Sequence, residues 1–218
     1  MISLENKNRL LYGIVFVCIL YFGTLYSALS CSILFAIIGF ICLYEMWQLR
    51  RGKSKELALL YVLSPFILIQ ICIWNYLNIE SIWVPYSILN IFVLTWVFDS
   101  FAYLIGIKFG KRKIMPKISP KKSWEGFIGG LIFTLIAGFV VLILRGVNWM
   151  ESIIILILIP ISATAGDFIE SYYKRQAGVK DSSNLIPGHG GMLDRMDSLL
   201  ISFFILSILI IIFNPYKI

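Results

Sequence analysis

Residues 10–44 run for thirty-five positions without a single Asp, Glu, Lys or Arg. The hydrocarbon layer of a bilayer is crossed by about 20 helical residues. The run is therefore too long for one crossing and fits two, over 10–26 and 29–48, with a tight turn near Ser27 to Ser30. The pattern then repeats: an uncharged stretch over 57–79 that contains Pro65, one over 83–107 broken only by Asp99, one over 126–144, one from Ser152 into Asp167 and beyond, and one over 198–213. Composition agrees, with 59% of the 218 residues hydrophobic and 14% charged, where a soluble domain is about half apolar and a quarter charged. The expectation is an all-α integral membrane protein, a polytopic bundle of about seven transmembrane helices forming one domain over 1–218, with N-terminal helices over 10–90 and site-bearing helices and loops over 91–213. The first apolar run lacks a small-residue cleavage site and reads as a retained helix.

The formal charge is +7, yet the cations lie in short connections, which favours membrane orientation and anionic ligands over nucleic acid. With seven crossings, 17 of the 19 Lys and Arg fall on one side: Lys7, Arg9, the 50–55 loop, the 108–122 loop and the 174–195 region. Only Arg145 and Lys217 fall on the other. The positive-inside rule puts the N-terminus and the basic loops in the cytoplasm and the C-terminus outside. The four cysteines, Cys18, Cys31, Cys42 and Cys72, lie in apolar runs without CxxC spacing or a histidine partner and read as small core hydrophobes.

Chemistry concentrates in two places. If the sixth helix continues through Ser171, then Asp167, Glu170, Ser171 and Lys174 share one face. Carboxylates at membrane depth face a bundle interior or a water-filled cavity; a self-neutralising helix end, with Lys174 and Arg175 as partners, explains them equally well. Asp194, Asp197 and Ser198 repeat the spacing where the seventh helix begins. One Asp there is ordinary capping, but hard carboxylate oxygens from two separate helices suit Mg²⁺. Between them, Gly188, His189, Gly190 and Gly191 expose backbone N–H groups that can cradle an anion or simply turn the chain. The second place is the basic loop with Ser119, Lys121, Lys122 and Ser123, suited to phosphates or to topology alone.

The run Ser171-x-x-Lys174-Arg175-x₄-Lys180-Asp181-x₄-Ile186-Pro187-x-His189-Gly190-Gly191-x-x-Asp194-Arg195-x-Asp197 closely resembles the signature of the phosphatidate cytidylyltransferases, or CDP-diacylglycerol synthases. Gly166-Asp167-x-x-Glu170-Ser171 and Ser119-Pro120-Lys121-Lys122-Ser123-Trp124-Glu125-Gly126 are similar to further blocks of that family, and the resemblance covers roughly residues 95–200. Departures are Tyr173 in place of an apolar residue, Ser123 in place of Thr, and Phe101 in place of Gly after Asp99-Ser100; the chain is also short for the family.

The resemblance implies an enzyme that transfers cytidylyl from CTP to phosphatidate with Mg²⁺, in a bacterial cytoplasmic membrane with the site facing the cytoplasm. It implies catalytic roles for Asp167, Asp194, Lys174 and Asp197, with Asp167 and Asp194 as the ligands of the metal. Substrate contacts would come from Ser171, Arg175, Lys180, His189, Gly190, Gly191, Arg195, Ser119, Lys121, Lys122 and Ser123. A homodimer is left open. Competing readings are a CTP-dependent lipid kinase, a cytidylyltransferase for another lipid phosphate, and a cation or lipid transporter using Asp99, Asp167 and Glu170.

Overall fold

The computed structural model describes residues 4–79, 85–145, 149–188 and 190–213. Among these the chain forms seven helices, α1 (Leu4–Tyr26), α2 (Ala28–Leu49), α3 (Glu56–Ile79), α4 (Tyr86–Phe109), α5 (Trp124–Arg145), α6 (Trp149–Ala177) and α7 (Leu193–Phe213). Five contain stretches long and apolar enough to cross a membrane: Ala28–Leu49, Glu56–Trp74, Tyr86–Phe109, Trp124–Ile143 and Ile153–Ala177. The fold is that of an all-α polytopic membrane protein.

The turn in the long uncharged run falls at Ser27. Its Oγ accepts from Ser30 N at 3.0 Å, and Ser30 Oγ accepts from Ser27 N at 3.0 Å. This reciprocal capping box stops α1 and starts α2, satisfying the N–H groups of Ser27 and Ser30 in an apolar setting. α7 begins at Leu193, five residues earlier than the apolar run alone suggests, because Asp194, Arg195 and Asp197 are part of the helix. The basic loop is not purely irregular: β1 (Lys113–Met115) and β2 (Ser119–Ser123) form a small antiparallel hairpin. Ser123 ends it by accepting from Gly126 N at 3.2 Å, which caps α5.

α7 is the central helix, packed against α3 and α6. Phe203 meets Phe35 of α2 and Phe92 of α4 edge-on, each at 5.4 Å between ring centroids. Large apolar side chains on the outer faces of α1, α3 and α5, such as Phe22, Leu60 and Ile136, are exposed; in water they would form an untenable surface, and in lipid they are in their natural solvent. Inside, where lipid offers no hydrophobic drive, small and polar residues join the helices. Ser162 Oγ and Ser202 Oγ lie 2.8 Å apart between α6 and α7. At Gly166 any Cβ would overlap the carbonyl oxygen of Asp197, so only glycine permits this approach.

The basic connections meet at one end of the bundle. Arg50 and Lys53 bond to Gln176 at the end of α6, and Arg175 reaches the hairpin turn at Ile118 O.

Candidate functional site

α6 does not stop at its first carboxylate. It runs on to Ala177 and ends with Gly178 at φ +73°, where Gly178 N donates to Arg175 O at 3.1 Å and Val179 N to Lys174 O at 3.0 Å. This is a Schellman motif, which needs the left-handed conformation that glycine adopts freely. The extra turns carry Asp167, Glu170, Ser171 and Lys174 down one face. Ser171 Oγ donates to Asp167 Oδ1 at 3.2 Å. Lys174 Nζ meets Glu170 at 2.5 Å and Asp194 of α7 at 2.7 Å, and Lys122 of the hairpin forms an ion pair with Asp167.

The carboxylates that converge are Asp167, Glu170 and Asp197, each offering an oxygen within 4.8 Å of the others. Gly166 permits this by letting the backbones of α6 and α7 touch. Glu170 is fully buried, and apart from its ion pair with Lys174 neither of its oxygens accepts a hydrogen bond. Asp194 stands outside the group of three. Its oxygens accept from Lys174 Nζ at 2.7 Å, Ser182 N at 2.8 Å, Ser182 Oγ at 2.9 Å and Gly191 N at 2.7 Å. Asp99 on α4 accepts from Ser198 Oγ at 2.9 Å, beside the group.

The connection from α6 to α7 is tied down from both sides. Ile186 N bonds to Gly190 O at 2.8 Å, and Gly188 and Gly190 take φ of +75° and +82°. Asp194 holds one side of this loop. Glu45 of α2, 3% exposed, holds the other: it accepts from Ser183 Oγ at 2.6 Å, Ser182 Oγ at 3.0 Å, Met192 N at 3.0 Å and Leu193 N at 2.7 Å. Met192, preceding α7, has no side-chain oxygen to cap it; Glu45 supplies that oxygen from another helix, where negative charge also meets the positive end of the helix dipole. The sequence reading missed Glu45. The available signal was that it is the carboxylate closing the thirty-five-residue uncharged run, a costly group at membrane depth unless something receives it.

Two cavities flank the acidic group. One of about 640 Å³ is bounded by α4, the hairpin, α5 and α6, and its polar walls include Asp99, Lys113, Ser119, Lys121, Lys122 and Asp167. The other, about 340 Å³, lies between α1, α4 and α7, with Asp99, Asp194, Arg195 and Asp197 in its walls. Both sizes suit a small ligand, and Asp99 borders each. Ser123 also lines the larger cavity, though it is buried and occupied in capping α5. Arg175 is exposed and donates to Val179 O at 2.9 Å; Lys180 is exposed in the connection. His189 lies outside the described residues.

The departures from the signature are accommodated locally. Tyr173 packs 5.3 Å beneath the Arg50 guanidinium and 6.3 Å from the ring of Tyr61. Phe101 stacks on Phe133 of α5 at 3.7 Å between ring centroids.

A family model described as the cytidylyltransferase family matches residues 85–213. Phosphatidate cytidylyltransferase of Haemophilus influenzae is 50% identical over 120 residues, covering 52% of this chain and 42% of that protein. That of Staphylococcus saprophyticus is 45% identical over 127 residues, 57% of this chain and 48% of the relative, and that of Thermotoga maritima is 48% identical over 113 residues, 49% and 42%. The matched segment thus spans under half the length of each relative.

Proposed function

The chain belongs to the cytidylyltransferase family, whose model spans residues 85–213, and from that premise we propose that it transfers the cytidylyl group of CTP to phosphatidate, giving CDP-diacylglycerol and pyrophosphate. The observation that carries this reading is the convergence of Asp167, Glu170 and Asp197 beside a cavity walled by Lys113, Lys121 and Lys122. Relatives named phosphatidate cytidylyltransferase, at 45–50% identity across this half of the chain, support the same assignment.

The donor set fits Mg²⁺. Three hard oxygens lie together, Glu170 accepts no hydrogen bond, and Lys122 and Lys174 leave the carboxylate cluster net negative; such a cluster at membrane depth calls for a further cation. Asp167, Asp197 and Glu170 would hold it. Bound there, Mg²⁺ would supply charge neutralisation at the α-phosphate and the departing pyrophosphate.

The nucleophile is a phosphate monoester oxygen of phosphatidate, already ionised near neutral pH. It attacks the α-phosphorus of CTP; the new P–O bond forms as the bond to the β-phosphate oxygen breaks, and pyrophosphate leaves with that electron pair. No general base is required, so the chain's task is to position two anions and offset their repulsion. Lys113, Lys121 and Lys122 face the phosphates from the hairpin, and Lys174 fixes Glu170 and Asp194 in register across α6 and α7. Clustering of the basic connections at one end of the bundle supports a cytoplasmic site, where CTP is found. Purified protein supplied with phosphatidate, Mg²⁺ and CTP labelled at the α-phosphate should move label into lipid. Transfer of γ-label alone would make the protein a kinase, and transfer of neither would withdraw the assignment.

A further inference from the structure

A third cavity, about 580 Å³, lies between α5 and α6 under the hairpin. Its walls are apolar apart from Thr164, with Trp124 and Leu131 from α5, Ile157, Ile161 and Phe168 from α6, and Met115 from β1 among them. It shares Ile114, Phe127 and Thr164 with the larger polar cavity, so the two lie side by side. Lys122 Nζ, in the polar cavity, sits 5.3 Å from the centroid of the Phe168 ring, a wall of the apolar one. The helices touch closely at the far end, where a Cβ on Gly138 would overlap Leu156, and the cavity lies between them nearer the hairpin.

The occupant has to be apolar, since a cavity lined this way does not hold water. It comes from the bilayer: Ile157 and Ile161 remain 42% and 49% exposed beside it, and Ile128 and Ile132 on α5 face outward in the same way. It is also joined to an anion, because the adjoining walls carry Lys113, Lys121 and Lys122. A cationic cavity abutting an apolar one matches an amphiphile with an anionic head. We propose that the α5–α6 cavity receives one acyl chain of the lipid phosphate, which enters laterally between these helices with its phosphate directed to Lys122; the proposal rests on the cytidylyltransferase reading for the identity of the lipid.

Two measurements test it on the full-length protein. Phosphatidate carrying a diazirine midway along one acyl chain is photolysed with the protein, and labelled peptides are mapped by mass spectrometry. Labelling concentrated on α5 and on residues 157–169, suppressed by excess unlabelled phosphatidate, is expected; labelling spread evenly over the outer helices, or insensitive to competitor, overturns the proposal. This readout does not depend on turnover, so specific labelling without cytidylyl transfer would uphold the slot while removing the catalytic reading. Second, Leu131→Trp and Ile161→Trp fill the slot. A blocked slot leaves the acyl chain in the bilayer at no hydrophobic cost but displaces the lipid phosphate from Lys122, which should lower kcat/KM for dioleoyl phosphatidate by about tenfold or more and leave the soluble dihexanoyl form and the KM for CTP nearly unchanged. Equal losses on both lipids, or none on either, would count against the slot.

Discussion

Glu45 lies outside the segment matched by the family model, yet it holds the connection that carries the glycines. Replacing it by Ala removes four hydrogen bonds, but not all four losses weigh equally. Ser182 Oγ retains Asp194 as an acceptor, and Ser183 is only half-buried. The N–H groups of Met192 and Leu193 have no replacement, because they are the free donors at the start of α7. A hydrogen bond to a charged group contributes about 1.5 kcal/mol at the low end, so their loss should cost about 3 kcal/mol locally. That magnitude corresponds to about 100-fold faster amide exchange of the loop, since each 1.4 kcal/mol is tenfold. Glu45→Gln should lie between: one carboxylate oxygen becomes an NH₂ group. The serine it faces can turn to accept; the backbone N–H it faces cannot. The assay is hydrogen exchange on protein in detergent, resolving 181–195 from the rest, with cytidylyl transfer measured alongside. The order wild type, Gln, Ala in loop protection, with kcat falling in parallel, is expected. Unchanged exchange in the Ala variant would refute the assignment of Glu45 as the loop's anchor, and a uniform rise across all helices would make it a general stability residue.

The acidic residues are separable. Asp197→Asn should abolish Mg²⁺-dependent transfer of α-label while leaving loop exchange at the wild-type level, whereas Asp194→Asn should lose activity together with protection of 182–191; identical behaviour of the two would merge their roles. Lys174→Met leaves Glu170 and Asp194 unpaired in a largely buried setting and should destabilise the protein by about 3–5 kcal/mol, read as a fall in thermal midpoint, with Glu170→Gln in the same chain recovering part of it; additive losses would deny the coupling. Gly166→Ala should cost about 1–3 kcal/mol by overpacking α6 against the Asp197 carbonyl and remove most of the activity, and a fully active variant would show that the carboxylates do not depend on that close approach.

The helices were legible because bilayer physics is local. Thirty-five uncharged residues over 10–44 admit few other solutions, and Ser27 and Ser30 carry the turn in their own side chains. The shared face of Asp167, Glu170, Ser171 and Lys174 follows from helical spacing once the helix is taken to continue. Partner choice was not legible. Asp167 and Asp197 meet because Gly166 lets two backbones touch, a property of packing between α6 and α7 and not of either segment. Asp194, expected as a metal ligand beside Asp167, has its oxygens taken by Ser182, Gly191 and Lys174; no spacing rule distinguishes Asp194 from Asp197 one turn on. Glu45 is separated from its partners by 137–148 positions, and nothing in a periodic pattern links groups so far apart.

That separation bears on what the N-terminal helices are for. Beyond Glu45, Tyr61 of α3 donates to the carbonyl of Gly166 at 3.1 Å, at the tightest point between α6 and α7. Arg50 and Lys53 hold Gln176 at the end of α6, and Arg50 covers Tyr173. Each of these contacts lands within a few residues of the acidic group, and each comes from a segment outside the family match. The carboxylates of α6 and α7 repel one another, and Lys174 and Lys122 offset only part of that repulsion; two helices carrying such a cluster would separate if nothing else restrained them. α2 and α3 provide the restraint, through bonds to the backbone and loop of the site and not through its reacting groups. A segment outside the family match can therefore still fix the geometry on which the signature residues depend.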